Sequence, residues 1–527
     1  EYLYDIDPQR WAAPIIETAN KIVEEAFAIK NIVPNASSAI FRNPGAMELL
    51  EDPGWKNMRT CGDWVFYLHL IRGGVLAYSP AACNYYRIHD ENTSVKSHDD
   101  DVFYVEHEIV AKTVQKYYRV GTDVFMRQRE QLIAHWMETR SFFSEDAFEA
   151  CYSLSRIKSA ATCRSPNLLM AGYGFCSGGG ETFPVELANL MKAAGYNVTY
   201  FDCAQEPRNQ GVRGKLRRDI PIVSDIPHLE KIVSDFGIDL IHSHHAWVDS
   251  TILDILPEEG DFKTIVTLHG MYETINSIEL KFILPRLVKR SSRLIYVADK
   301  NVSALTAYKG NDEKKLVLIE NALSVSEFDP VSRSDLGISE GAFVLVLISR
   351  AMEEKGWQEA VEIVSAAREK SEKDIQLVLV GDGPEYDRLG ALQLPAFIHL
   401  EGFQDNVRGY FSCSDMGFLP SRFRGESFPM VIIECLQAGR PILASSLGDI
   451  PYMLSGTDGP AGVLVELDGF EINISLWAEK IAHLASDKIA CESLQSRVFS
   501  AAQKFDSGVM TRKYDEVYRS VLDESVL

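Results

Sequence analysis

From residue 166 to residue 505 short apolar runs alternate with longer amphipathic stretches, a rhythm that predicts parallel sheets with helices on both faces. The strand candidates of the first half are residues 167–172, 197–202, 240–243, 264–268, 293–297 and 316–319. Those of the second half are residues 343–348, 376–380, 398–400, 416–419 and 441–444. Each set is about the size of one doubly wound domain, so we expect an α/β protein with two Rossmann-like lobes joined near residues 330–340 and a ligand bound between them. The last segment places apolar or aromatic side chains at Val509, Tyr514, Val517, Tyr518 and Val521, the spacing of an amphipathic helix. No short-period repeat or low-complexity tract interrupts the pattern, which argues against a solenoid.

Composition narrows the class. The chain has 527 residues, 46% hydrophobic and 24% charged, the balance of a globular protein with room for roughly three or four domains. Its net charge of -22 argues against a nucleic-acid binder and offers no polybasic surface for anionic lipid. The nine cysteines are scattered, with no CxxC pair and no metal-type spacing, and read as reduced thiols of a cytoplasmic protein. No apolar run approaches the roughly 20 residues that span a bilayer, and no signal-peptide pattern opens the chain. Peripheral contact with a membrane stays open. The first residue is Glu1 rather than Met, which suggests a piece of a longer polypeptide.

The candidate chemistry concentrates in "SRFRGESFPMVIIECLQAGRPILASS". Glu426 lies on the loop leading into a helix that starts behind Pro429, and Glu434 lies early in that helix. Both carboxylates can face one cleft, where they suit sugar hydroxyls while backbone amides at the helix start suit phosphate. Upstream, "YGFCSGGGETF" sets Gly178, Gly179 and Gly180 between a strand and a helix, where backbone can approach an anion closely. His269 in "TLHG" lies just past a strand end, at the carboxyl edge where open α/β sheets bind ligands. His242, His244 and His245 in "HSHHAW" also follow a strand, but no Asp, Glu or Cys pattern joins them to make a metal site. Arg350 and Lys355 in "ISRAMEEKGW" can both reach an anion over the sheet edge, a planar fork and a point charge suited to a diphosphate. "GDGPE", with Gly381, supplies a turn before the next helix.

Taken in order, these motifs resemble the retaining GT-B glycosyltransferases of family 4 over roughly residues 166–527. The resemblance implies an acceptor lobe at 166–335, a donor lobe at 336–505 and a C-terminal crossover helix at 506–527. It implies a nucleotide-sugar donor, UDP- or GDP-linked, and chemistry without a metal or other cofactor. By the same resemblance Arg350 and Lys355 neutralise the donor diphosphate, Glu434 binds the ribose, and Glu426 lies near the donor sugar. Gly179 and Gly180 face the diphosphate, Gly381 belongs to the donor site, and His269 is close to the transferred sugar. Ser427 and Pro429 stand where the family often has glycines, so the surroundings of the sugar at Phe428 and Met430 are not carried over.

The N-terminal part is similar to the C-terminal half of a family 2, GT-A glycosyltransferase over about residues 28–95. Asp63 in "CGDWVF" matches that family's base position and His89 in "YYRIH" a ligand of its Mg²⁺ or Mn²⁺. The nucleotide-binding strands and the Asp-x-Asp motif do not precede them, and Asp5-Ile6-Asp7 runs straight into a proline. The expected organisation is therefore a partial GT-A-like α/β segment at 1–125 and a helical linker at 126–165.

The resulting expectation is a retaining glycosyltransferase that moves a sugar from a nucleotide sugar to a glycan or glycosylated carrier in bacterial-type polysaccharide or glycoconjugate synthesis. The alternative is a noncatalytic nucleotide- or sugar-binding module that kept the fold.

Overall fold

The structure, a computed structural model, describes residues 6–33, 36–42, 53–81, 100–140, 142–176, 178–204, 209–306, 308, 313–325 and 327–524. His89 and Asp5 lie outside the described residues. Two compact units divide the chain.

The first unit comprises Glu1–Met170, Met191–Phe201 and Leu216–Ile241. Strands β1 (Ile15–Thr18) and β2 (Val75–Tyr78) pair antiparallel, with Ile15 opposite Tyr78. Around them run the helices Gly62–Leu70, Asp101–Tyr117, Thr122–Thr139, Glu145–Cys151 and Leu154–Ser159. Trp11, Phe27, Trp64, Tyr104, Trp136 and Tyr152 are buried in one shared core. The helices expected as a linker thus pack their apolar faces into the same core as the segment before them. Glu106 accepts hydrogen bonds from the amides of Arg59 (2.6 Å), Thr60 (2.7 Å) and Cys61 (2.9 Å), fixing the segment that leads into the helix that carries Asp63. Arg72 stacks on Tyr117 at 4.0 Å and donates to Asn197 Oδ1 at 2.8 Å.

The first parallel-type sheet contains β3 (Asn167–Gly172), β4 (Asn197–Asp202), β5 (Ile222–Val223), β6 (Leu240–Ser243), β7 (Lys263–Leu268), β8 (Arg293–Tyr296) and β9 (Leu316–Leu318) in the order β5-β4-β3-β6-β7-β8-β9. The second contains β10 (Phe343–Ile348), β11 (Ile375–Val380), β12 (Ile398–Gly402), β13 (Met416–Leu419), β14 (Ile442–Ser445) and β15 (Gly462–Val465) in the order β12-β11-β10-β13-β14-β15. All of its neighbours run parallel. Both orders reverse beside their first strand, the doubly wound arrangement in which ligands bind outside the carboxyl ends at the switch point. The strands β3 and β10 are buried along their whole length, which explains their unbroken apolar runs.

The second unit comprises Ala171–Leu190, Asp202–Lys215 and His242–Leu527. It holds the whole six-stranded sheet, the loops after β3, β6 and β7, and the final helix, Ser507–Asp523. That helix buries Met510, Tyr514, Tyr518 and Val521. Among the described residues no helix is long and apolar enough to cross a membrane.

Candidate active site

Every residue that the sequence nominated in the GT-B part lines one cavity of about 230 Å³: Gly179, Gly180, His269, Arg350, Lys355, Gly381, Glu426 and Glu434. All eight belong to the second unit. Asp63 lies elsewhere, on the helix Gly62–Leu70 of the first unit.

The loops after β10 and β13 build the charged centre. After β10 the chain makes a single tight turn, Glu353–Lys355, that ends on Gly356 at φ 75°. A Cβ there would run into the Pro420 carbonyl, so glycine is required for the turn to seat against the end of β13. The turn brings Lys355 Nζ to 2.6 Å from Glu426 Oε2, and Ser421 Oγ donates to the same oxygen at 2.8 Å. Burial pushes the Glu426 carboxyl up, but Lys355, Ser421 and Lys300 outweigh it and hold the group below its usual value. Glu426 is therefore an anion in a nearly dry site.

Lys300 was not singled out from the sequence. Its Nζ donates to the Arg424 carbonyl at 2.8 Å and also to the Glu426 carbonyl. The signal was present, since Lys300 follows the carboxyl end of β8 as Arg350 follows that of β10. Ser427 Oγ accepts from Asn301 Nδ2 at 2.8 Å. These contacts tie the segment carrying Glu426 to residues 300–301.

Arg350 is partly exposed, and its Nη1 lies 3.7 Å from Glu181 Oε1. A Cβ on Gly178 would run into the Glu181 carboxylate and crowd the Arg350 side chain, one on Gly179 would crowd Met430, and Gly180 faces open space. Gly381 has φ 145°, and a Cβ on it would run into the Ser349 carbonyl. Its amide donates to Gly402 O at 2.7 Å.

Glu434 sits in the second turn of the helix Met430–Gln437. Burial pushes its carboxyl up to about 7, with Lys215 and Arg408 drawing it back and Glu186 adding to the rise. No hydrogen bond reaches its side chain from a described residue, so its oxygens are available to a ligand.

His269 follows β7, with Nε2 at 3.1 Å from His244 Nδ1. Burial, helped by His245, lowers it to about 3, so the ring is neutral at any ordinary pH. His242 bridges Tyr518 Oη at 2.6 Å and Thr267 Oγ1 at 2.7 Å, and His245 Nδ1 accepts from the Trp247 amide at 3.2 Å, capping the helix Ala246–Ile255. The three histidines thus spend their nitrogens on different partners.

Two doubly wound sheets with cations, paired carboxylates and glycine turns gathered at their carboxyl ends define a GT-B fold. Two family models match in succession: Glycosyltransferase Family 4 over residues 177–327 and Glycosyl transferases group 1 over residues 342–487.

The chain is similar to N-acetyl-alpha-D-glucosaminyl L-malate synthase of Bacillus anthracis, 27% identical over 301 residues that cover 54% of this chain and 76% of the relative. It is also similar to D-inositol 3-phosphate glycosyltransferase of an Arthrobacter species, 24% identical over 295 residues covering 50% of this chain and 66% of the relative. Among solved structures, Anabaena HepE in complex with UDP-glucose matches at TM-score 0.56 and 18% identity, over 67% of this chain and 99% of that one. Sucrose-phosphate synthase from Thermosynechococcus elongatus matches at TM-score 0.56 and 18% identity, over 68% and 100%. The chain is a glycosyltransferase with the GT-B fold.

Proposed function

We propose that this glycosyltransferase moves a sugar from a UDP- or GDP-linked donor to a glycan or glycosylated carrier, with retention at the anomeric carbon. The observation that carries the reading is the cavity in which Arg350 and the Lys355–Glu426 pair meet the helix that holds Glu434. In support, Anabaena HepE, similar in fold, binds UDP-glucose. Breaking the anomeric C–O bond puts negative charge on the departing diphosphate and positive charge on the sugar ring. Arg350, Lys355 and the amides at Gly179 and Gly180 would receive the first, and the Glu426 carboxylate faces the second. Glu434 would accept the ribose hydroxyls, and Gly381 lets the backbone approach the donor. Retention is assigned to front-face substitution, in which a donor phosphate oxygen takes the acceptor proton. A trapped covalent sugar on the protein would overturn that assignment.

The relatives' names carry different acceptors, L-malate and D-inositol 3-phosphate. For this chain a saccharide acceptor fits the aromatic surface beside the cavity. Tyr173 lies tilted against His245 at 4.8 Å and edge-to-face with Trp247 at 5.8 Å, and Trp247 is 46% exposed. Exposed ring faces of this kind match the C–H face of a sugar. Catalysis is assigned to the protein's own cations without a metal, and the setting to the cytoplasm and to polysaccharide or glycoconjugate synthesis. The N-terminal part is assigned as a family 2 remnant with Asp63 at the base position and no role in this transfer.

The test is turnover and thermal shift with a panel of nucleotide sugars, in EDTA and then with Mg²⁺ or Mn²⁺, because a ligand of the folded state raises its melting temperature. The expected result is a shift and turnover from one donor in EDTA, with turnover lost in Glu426→Ala. Binding without turnover on any saccharide acceptor would favour a noncatalytic module. Turnover only with added metal would refute the metal-free assignment.

A further inference from the structure

Four side chains from three separate parts of the sequence form a buried line that ends in the cavity. Tyr518 on the last helix contacts His242 Nδ1 through its hydroxyl at 2.6 Å, and Thr267 holds His242 Nε2 at 2.7 Å. The His242 ring lies 4.0 Å from that of His244. His244 Nδ1 lies 3.1 Å from His269 Nε2, and the two rings are nearly parallel, 27° apart. His242 and His244 are buried, at 0% and 2% exposure, whereas His269 is partly exposed where it lines the cavity.

Which nitrogen of a neutral imidazole carries the hydrogen is set by the bond the other nitrogen makes. The Nδ1 of His269 makes no hydrogen bond with a described residue, so the contact at Nε2 is the hydrogen-bond constraint on its tautomer, while Phe183 packs edge-on against the ring at 5.3 Å. If His244 donates, His269 carries its hydrogen on Nδ1. If His244 accepts, Nδ1 is a lone pair. Either way the choice is made one residue back from the ligand.

We propose that His244 is a positioning residue that fixes the tautomer and ring orientation of His269, and that Tyr518 and His242 hold His244 in place. The inference rests on the glycosyltransferase reading for the importance of His269, but its structural half does not. It gives the final helix a part in setting the transfer site, through Tyr518.

The experiment compares His244→Asn, which keeps a polar atom near the Nδ1 position, with His244→Phe and His244→Ala, which do not. Imidazole ¹⁵N chemical shifts in ¹⁵N-histidine-labelled protein, with the His269 signals assigned by their loss in His269→Gln, read the tautomer without any substrate. The expected result is a single His269 tautomer in the native protein and in His244→Asn, and a mixture in His244→Phe and His244→Ala. In turnover, kcat should fall on the order of tenfold or more in the two apolar variants, with donor KM within about twofold, and His244→Asn should recover most of the loss. Tyr518→Phe should give a smaller change in the same direction. Unchanged ¹⁵N shifts in folded His244→Phe or His244→Ala, or His244→Asn performing no better than they do, would overturn the proposal. Altered tautomers in a chain that turns over no donor would instead uphold the geometry and fault the functional reading.

Discussion

Lys355 and Glu426 lie 71 positions apart and meet at 2.6 Å in a site where both are nearly buried. Breaking such a pair strands a charge in low dielectric, which costs about 3–5 kcal/mol. Lys355→Ala should therefore lower stability by about that much as well as abolish turnover. Adding Glu426→Gln should restore much of the stability in urea unfolding and none of the activity. Arg350 gives the opposite pattern, since it is partly exposed and its nearest acid is 3.7 Å away. Arg350→Ala should leave the urea midpoint nearly unchanged while turnover falls on the order of 10²-fold or more.

Glu434 supplies a pH test. Its folded value, about 7, lies above the ordinary 4.5, so between those values the folded state holds more protons than the unfolded one. Stability is then full below pH 4.5 and declines as pH rises through 7. Glu434→Gln removes the decline. Thermal unfolding should show the variant gaining on the native protein by roughly 1–3 kcal/mol at pH 8 and by little at pH 5.

At the scale of elements, the apolar runs located the strands well because both sheets are covered on both faces. Residues 167–172, 197–202, 240–243, 343–348 and 416–419 match the observed strands end to end. The two-residue β5 was missed because it is too short to show a pattern, and β15 because its Gly462 start looks like turn chemistry. The final helix was found with its inner face slightly misphased. Met510 is buried and Val509 is 41% exposed, since Met510, Tyr514, Tyr518 and Val521 follow the i, i+4, i+8, i+11 stripe. The Gly381 turn was read as a turn, whereas Gly179 and Gly180, expected in a loop, open the helix Gly179–Ala193; the necessity of Gly381 is tertiary. Gly381→Ala should cost about 1–3 kcal/mol, measured by urea unfolding, because the left-handed backbone and the Ser349 carbonyl both exclude a Cβ.

At the scale of the whole molecule, the helical segment expected as a linker belongs to the first unit. Helices from residues 122–159 share the core built on Trp11, Trp64 and Tyr104. Asp63, on that core's helix, accepts from the Trp64 amide at 2.7 Å, and burial raises its carboxyl. Asp63→Asn should leave kcat and donor KM of the GT-B reaction within about twofold. A loss like that of Arg350→Ala would give the N-terminal part a role in the same chemistry.

By itself the sequence determined the α/β class, most of the strand positions along the chain and eight of the residues that line the cavity, because buried strands, glycine turns and strand-end charges leave local marks. Tertiary structure alone decided their states. Lys300 reaches Glu426 across 126 positions, the Glu434 carboxyl is tuned by Lys215, Arg408 and Glu186, and His269 takes its partner from a neighbouring strand end. Each of these depends on distance and desolvation between segments remote along the chain. A local pattern carries neither.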